Sequence, residues 1–151
     1  IEMMPPTAAQ LKTHIATNAL DNVSVVEQAL SDREGDSVTA IVPAGKWGQA
    51  SIAASGAGTE TSTEHQSSVQ YVVATATLDQ LFSGVGKIAL IKMDLEGAEY
   101  KALLGAENLL GRVSAIAFEN NSEDPQIFKL LKMHGFSIAS LDGHDYLALR
   151  I

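Results

Sequence analysis

Asp94, Glu96 and Glu119 are the residues whose types and spacing best suit chemistry. In "IALIKMDLEGAEYKALLGAENLL", Ile88 to Leu110, an apolar run ends at Asp94; one residue later comes Glu96, then Gly97. A second apolar run, "VSAIAFE" (Val113–Glu119), ends in Glu119-Asn120-Asn121. Glu2 follows Ile1 and would end any strand lying upstream. In open α/β sheets ligands sit beyond the carboxyl ends of the strands. These acids and amides are therefore expected to crowd one rim, suited to a cationic or hydroxyl-rich ligand and to general-base work. The competing reading of Asp94 and Glu96 is helix capping with a favourable dipole. Against it stand the additional acid of Glu99 and the freedom of Gly97 to turn tightly or approach a ligand.

The elements that must position these groups can be read from periodicity and punctuation. Pro5-Pro6-Thr7 opens a helix, with Thr7 as cap and Gln10 at capping-box spacing, and Leu11, Ile15 and Ala19 on one face. Asp21-Asn22 ends it. "VSVVEQAL" (Val23–Leu30), "SVTAIV" (Ser37–Val42) and "VQYVVATA" (Val69–Ala76) read as strands. Residues 43–68 are irregular, with Trp47 as the sole tryptophan, and read as a flexible loop or a lid, with short extended pieces around Gln49–Ala54. Thr77, with Gln80 three residues on, starts a short helix to Phe82. "KIALIKM" lacks alternation, as expected of a parallel strand buried on both faces. A helix is expected over Gly97–Leu110, closed by a left-handed Gly111. Asp124-Pro125 starts another, which carries Ile127, Leu130 and Leu131 inward and stops at His134-Gly135. "FSIASL" and "DYLALRI" form a hairpin around Asp142-Gly143-His144. Alternating helices and apolar strands predict an α/β sheet with helices on both faces.

Composition narrows the function classes. The 151 residues, 46% hydrophobic, fit one core. A net charge of −8 with ten scattered Lys and Arg excludes a basic stripe, so nucleic acid and anionic membrane surfaces are poor partners. The lack of cysteine removes disulfides, thiolates and the usual zinc sites, and suits a cytoplasmic protein. No apolar run reaches the length of a membrane span. The four histidines are too scattered for a metal site; His134 reads as a helix C-terminal residue and His144 as a turn residue. No nucleophile elbow is present, and Lys92 reads as an ion-pair partner at the strand end.

The segment "LIKMDLEGAEYKALLGAENLL…AIAFE" resembles the core of the FkbM family of S-adenosylmethionine (AdoMet)-dependent methyltransferases. Upstream, "LKTHIATNALDNVSVVEQALSDREGD" and "TATLDQLF" resemble that family's segments as well, so the resemblance covers nearly all of the chain except 43–68. It implies a Rossmann-like AdoMet-dependent methyltransferase sheet, mostly parallel with an antiparallel last strand. It further implies methyl transfer to a hydroxyl of a sugar, lipid or other small molecule. Glu2 matches the acidic residue that accepts hydrogen bonds from the ribose. Gln28, Ala29 and Leu30 match the turn bordering adenine, and Asp94 the strand end beside the methionine part. Glu96 and Glu119 are then nearest to orient or deprotonate the acceptor, work that contributes about 10²–10⁴-fold. A Mg²⁺ ion on Asp94, Glu96 and Glu119 is chemically conceivable, but the resemblance does not require one.

The sequence departs from the family at its start. The first strand and its Gly-rich turn should lie before Glu2, and Gly56-Ala57-Gly58 follows no strand and opens no helix. We therefore expect one methyltransferase-like domain over 1–151, the C-terminal three quarters of the family fold, with N-terminal strands missing. Strand edges left unpaired invite a homo-oligomer. Two rivals stand beside the enzyme: a catalytically inactive remnant of the fold acting as a binding or self-association module, and an acidic-rim module that binds a carbohydrate or metabolite.

Overall fold

The computed structural model describes residues 1–42, 50–52 and 68–151. The lid reading of 43–68, Trp47 and the Gly56–Gly58 stretch thus fall almost wholly outside the described residues. The chain divides into two compact units, Ile1–Ala29 with Gly35–Thr75, and Leu30–Glu34 with Ala76–Ile151.

In the first unit, helix α1 spans Pro5–Thr17. It starts two residues before the expected cap, because prolines at its first positions need no partner for the amide hydrogen they lack. Met4 is the N-cap residue, and its amide donates to the Glu2 carboxylate at 2.7 Å. The helix ends at Asn18, ahead of Asp21-Asn22, so Ala19 lies outside it. Of the expected strand Val23–Leu30 only β1, Ala29–Leu30, is paired. A β-branched run has high strand propensity, but it becomes a strand only where a partner completes the ladder. Strands β2 (Ser37–Val42), β3 (Ser51–Ile52) and β4 (Val69–Ala76) follow, in the order β1-β4-β2-β3. β2 runs antiparallel to both β3 and β4, with Ala40 opposite Ile52 and Tyr71. Met4, Ala29, Ala40, Val42 and Val73 form the core here.

The second unit opens with helix α2, Leu78–Leu81, capped as expected: the Thr77 hydroxyl accepts from the Gln80 amide at 3.1 Å. Strand β5 (Ile88–Met93) is followed by α3 (Glu99–Leu104), α4 (Glu107–Leu110) and β6 (Val113–Glu119). The single helix expected over Gly97–Leu110 is thus two. Gly105 marks the break, packed so closely that an added Cβ would lie 2.2 Å from the Ser31 carbonyl oxygen. The second helix takes its cap from a distant residue: Asp79 accepts from the amides of Asn108 (3.0 Å) and Leu109 (2.7 Å). Gly111 is right-handed at φ −60°, not left-handed, because the chain leaves α4 by continuing its curl into β6.

Helix α5 (Pro125–Met133) has Asp124 as its cap, accepting from Gln126, and ends on Gly135 at φ +80°. Strands β7 (Phe136–Asp142) and β8 (Asp145–Arg150) form the expected hairpin. The sheet order is β5-β6-β8-β7. β5 and β6 are parallel, as their helical crossover requires, and β8 is antiparallel to both neighbours. In this sheet β5, β6 and β7 run the same way and only the last strand, β8, is reversed, which agrees with the expectation of a mostly parallel sheet with an antiparallel last strand. The reversed β8 lies between β6 and β7, so both of its pairings are antiparallel, and in the other sheet β2 is antiparallel to both β3 and β4. The fold is a mixed α/β one.

One face of this sheet carries Met93, Ile116, Phe118, Phe136 and Ala148 into a core with Leu103, Leu109, Leu110, Ile127 and Leu131. Arg150 ties the sheet to its helices, donating to the carbonyls of Val113, His134 and Leu110 with its guanidinium 4.5 Å from the Phe136 ring centroid. β5 is the sheet's edge and is not buried on both faces: Leu90 is 57% exposed. Among the described residues no helix is long and apolar enough to cross a membrane.

Candidate functional site

Because β5 and β6 are parallel and in register at Met93↔Phe118, they deliver their next residues, Asp94 and Glu119, to the same end of the sheet. The antiparallel β8 begins at that end, with Asp145 opposite Glu119 and Tyr146 opposite Phe118. Around these strand ends lies a cavity of about 270 Å³, lined by Lys92, Asp94, Glu119, Leu141, Asp145 and Tyr146, with Met93, Ala117 and Phe118 beside them. Tyr146 is held by aromatic packing on two sides. It stacks on Phe118 with centroids 5.5 Å apart and meets Phe128 edge-on at 4.9 Å.

The cavity carries three carboxylates and one amine. Lys92 Nζ donates to Asp94 Oδ2 at 2.9 Å, the ion pair foreseen for this lysine. That hydrogen bond and the Asp94 charge hold the Lys92 pKa above its usual value; slight burial opposes them, and the charges of Asp145 and Glu119 add to the rise. Lys92 thus registers all three acids of the rim.

Helix capping does not account for Asp94 or Glu96. The N-cap of α3 is Ala98 and receives no side-chain hydrogen bond. The amides of the preceding turn go elsewhere: those of Leu95 and Gly97 donate to the two carboxylate oxygens of Glu99, at 2.7 and 3.0 Å. Glu99 is 4% exposed. The sequence showed it only as surplus acid, and nothing in its spacing revealed that it would turn back onto its own turn. Inside that turn Glu96 takes φ +50° and Gly97 φ +97°. Glu96 is exposed and is not among the residues lining the cavity.

The remaining candidates are placed as follows. Asn120 is 1% exposed and is not a free rim amide. Its side chain closes its own loop, accepting from the Asp124 amide at 2.9 Å and donating to the Asp124 carbonyl at 3.1 Å. Glu2, Gln28 and Ala29 belong to the first unit. The Glu2 carboxylate accepts from Met4, Gln28 is half-buried and Ala29 sits in that unit's core. Leu30 packs in the core of the second unit. Sequence reasoning missed Asp145 and Tyr146. No local signal marks them, since Asp145 comes opposite Glu119 only through the pairing of β6 with β8. Among the described residues no group of three or more His, Asp or Glu is arranged to hold a metal ion.

In comparisons with known proteins, no curated relative and no solved structure matches the chain. One family model, the methyltransferase FkbM domain, matches residues 6–142, and by that match over most of its length the chain belongs to the FkbM methyltransferase family.

Proposed function

We propose that this chain is an AdoMet-dependent O-methyltransferase acting on a hydroxyl of a small molecule, sugar or lipid. The observation that carries the reading is the pair Asp94 and Glu119, set side by side on one cavity by adjacent parallel strands. The acids there suit a sulfonium cation and a hydroxyl donor. The volume, just below the roughly 300–1,000 Å³ of ligand pockets, suits the reacting ends of cofactor and acceptor and not a whole nucleoside. When bound, AdoMet supplies an electrophilic methyl group. The chain's own residues do the rest. Asp94, its charge partly answered by Lys92, favours the cationic end of the ligand. Among the described residues Glu119 has no ion-pair partner, which leaves its carboxylate available to orient the acceptor hydroxyl and take its proton. Glu96 stands beside the rim as a second acid for the acceptor. Glu2, Gln28, Ala29 and Leu30 keep the roles the family resemblance implies for ribose and adenine, and the cysteine-free composition fits a cytoplasmic setting.

The test is calorimetric titration of S-adenosylhomocysteine into the 151-residue chain and a form extended at its N-terminus. We expect binding, weakened about tenfold or more by Asp94→Ala, equivalent to about 1.4 kcal/mol. Binding to neither form overturns the reading.

A second reading is favoured by one observation. The edge strand β5 exposes Leu90 (57%), and on the same outer face Leu149 (50%) and Leu141 (59%) are exposed. A module that self-associates through this edge and face would use these residues. Light scattering at rising concentration decides it: a constant monomer mass excludes self-association.

A further inference from the structure

Glu99 is a buried acid that neither capping of α3 nor the cavity uses. Its two oxygens hold the amides of Leu95 and Gly97, which bracket Glu96. Hydrogen bonds to an ionised acceptor are about twice as strong as neutral ones. They hold here a backbone form that a non-glycine residue rarely adopts, Glu96 at φ +50°. The same turn begins at Asp94, whose side chain meets Lys92. We infer that Glu99 is the positioning residue of the rim: its buried carboxylate, clamping the Leu95 and Gly97 amides, fixes where Asp94 and Glu96 stand at the end of β5. That Asp94 and Glu96 meet cofactor and acceptor rests on the methyltransferase reading; the clamp itself does not.

Glutamine is the informative replacement. It has the shape of glutamate but only one acceptor oxygen, so one of the two amides loses its partner. In Glu99→Gln we expect amide hydrogen exchange at Leu95 or Gly97 to quicken about tenfold or more, the loss of one charge-assisted bond. The titration of Lys92, followed by NMR at Nζ, reports Asp94's position, because the Asp94 hydrogen bond is the chief cause of its raised value, with Asp145 and Glu119 adding less. It should fall back toward 10.5 in the variant. A stability loss alone would not move it. Gly97→Ala serves as the second variant. It leaves Glu99 intact and its new Cβ meets nothing within 4 Å, but it strains the turn at φ +97° and should shift Lys92 the same way. S-adenosylhomocysteine affinity should weaken about tenfold in both. Unchanged exchange at both amides overturns the inference. So does a Lys92 titration that stays put while the amides are released, since Glu99 would then be a local clasp with no hold on the rim. If S-adenosylhomocysteine binds no form of the chain, the methyltransferase reading fails, and the amide and Lys92 measurements still decide the role of Glu99.

Discussion

Replacing Gly105 by alanine tests the packing that divides the helical crossover. The new Cβ would lie 2.2 Å from the Ser31 oxygen, well inside the 3.0 Å that such atoms essentially never cross, and a tight 3.2 Å from Thr77 Cβ. The nearest atom is backbone, so no side chain can swing aside. Either the Ser31 strand end or the α3–α4 junction must move. Two hydrogen bonds stand in the way, Ser31 N–H to the Ala76 carbonyl (3.0 Å) and Asp79 N–H to the Gly105 carbonyl (2.9 Å). Overpacking of this kind costs roughly 1–3 kcal/mol, and weakening one such bond adds about 1 kcal/mol. The stiffer unfolded chain returns about 0.4–1 kcal/mol. The net loss is about 1–3.5 kcal/mol, a fall in Tm of roughly 2–14 °C for a chain of this length. Gly111→Ala is the internal control. That site is right-handed, and the nearest atom to its added Cβ is Asn108 O at 3.6 Å, an ordinary contact. Only the unfolded-state gain applies, so Tm should rise by about 1–3 °C. Thermal unfolding followed by circular dichroism reads both. Shifts of the same sign in the two variants would refute the account, since it depends on a close approach at one glycine and open space at the other.

Asp79→Ala leaves the amides of Asn108 and Leu109 without their acceptor and should cost about 2 kcal/mol in urea unfolding; a cost below about 0.5 kcal/mol would mean that water replaces the cap freely. Arg150→Lys keeps the charge but not the fork that reaches three carbonyls, and should cost roughly 2–4 kcal/mol by the same assay. Ile116→Ala, in a fully buried position of the central strand, should cost about 2–5 kcal/mol, whereas Leu90→Ala on the exposed edge should stay near 0.5 kcal/mol. The folded pKa of Lys92 lies above its ordinary 10.5, so its pairing with Asp94 stabilises fully below that pH and is lost as pH rises through the folded value. Both side chains are largely exposed, 70% and 51%. The effect is therefore below about 1 kcal/mol and shrinks with salt, readable as the stability gap between wild type and Asp94→Asn closing at alkaline pH.

What was legible in the sequence was local. Thr77 and Asp124 announce their caps by type and spacing, and both accept the amides expected of them. Strands β2, β4, β5 and β6 and the terminal hairpin follow from apolar runs and turn residues, because those signals act within a few positions. What failed was whatever a distant neighbour decides. Val23–Val26 have strand residues but no ladder, and Leu90 sits in an apolar run yet lies on the outer face of the sheet, where Leu149 of the internal strand β8 is also exposed. The helix after Gly97 divides because Ser31, far off in sequence, presses on Gly105, and Asp79 caps the second half from another helix. At the site, the ends of β5 and β6 could be named in advance since each closes its own strand. Asp145 reaches them only through strand pairing, which no local pattern states.

Six acids of the second unit divide into two kinds. Asp79, Glu99 and Asp124 spend their oxygens on backbone amides, and so does the amide oxygen of Asn120. Each of these holds a turn or a helix start, and each is explained by the donors that a helix leaves unpaired at its N-terminus or that a tight loop exposes. Asp94, Glu119 and Asp145 do none of this. They stand together at one end of the sheet, their mutual repulsion answered by a single lysine that hydrogen-bonds only one of them. A fold gains nothing from gathering three carboxylates that support no backbone, and like charges so placed cost stability. The arrangement is reasonable where a ligand brings the missing positive charge or the missing hydroxyl. Capping and chemistry, which compete for the same motif in the sequence, are thus separated in the structure. Holding the turn belongs to Glu99, which leaves Asp94 and Glu119 free for the chemistry proposed above.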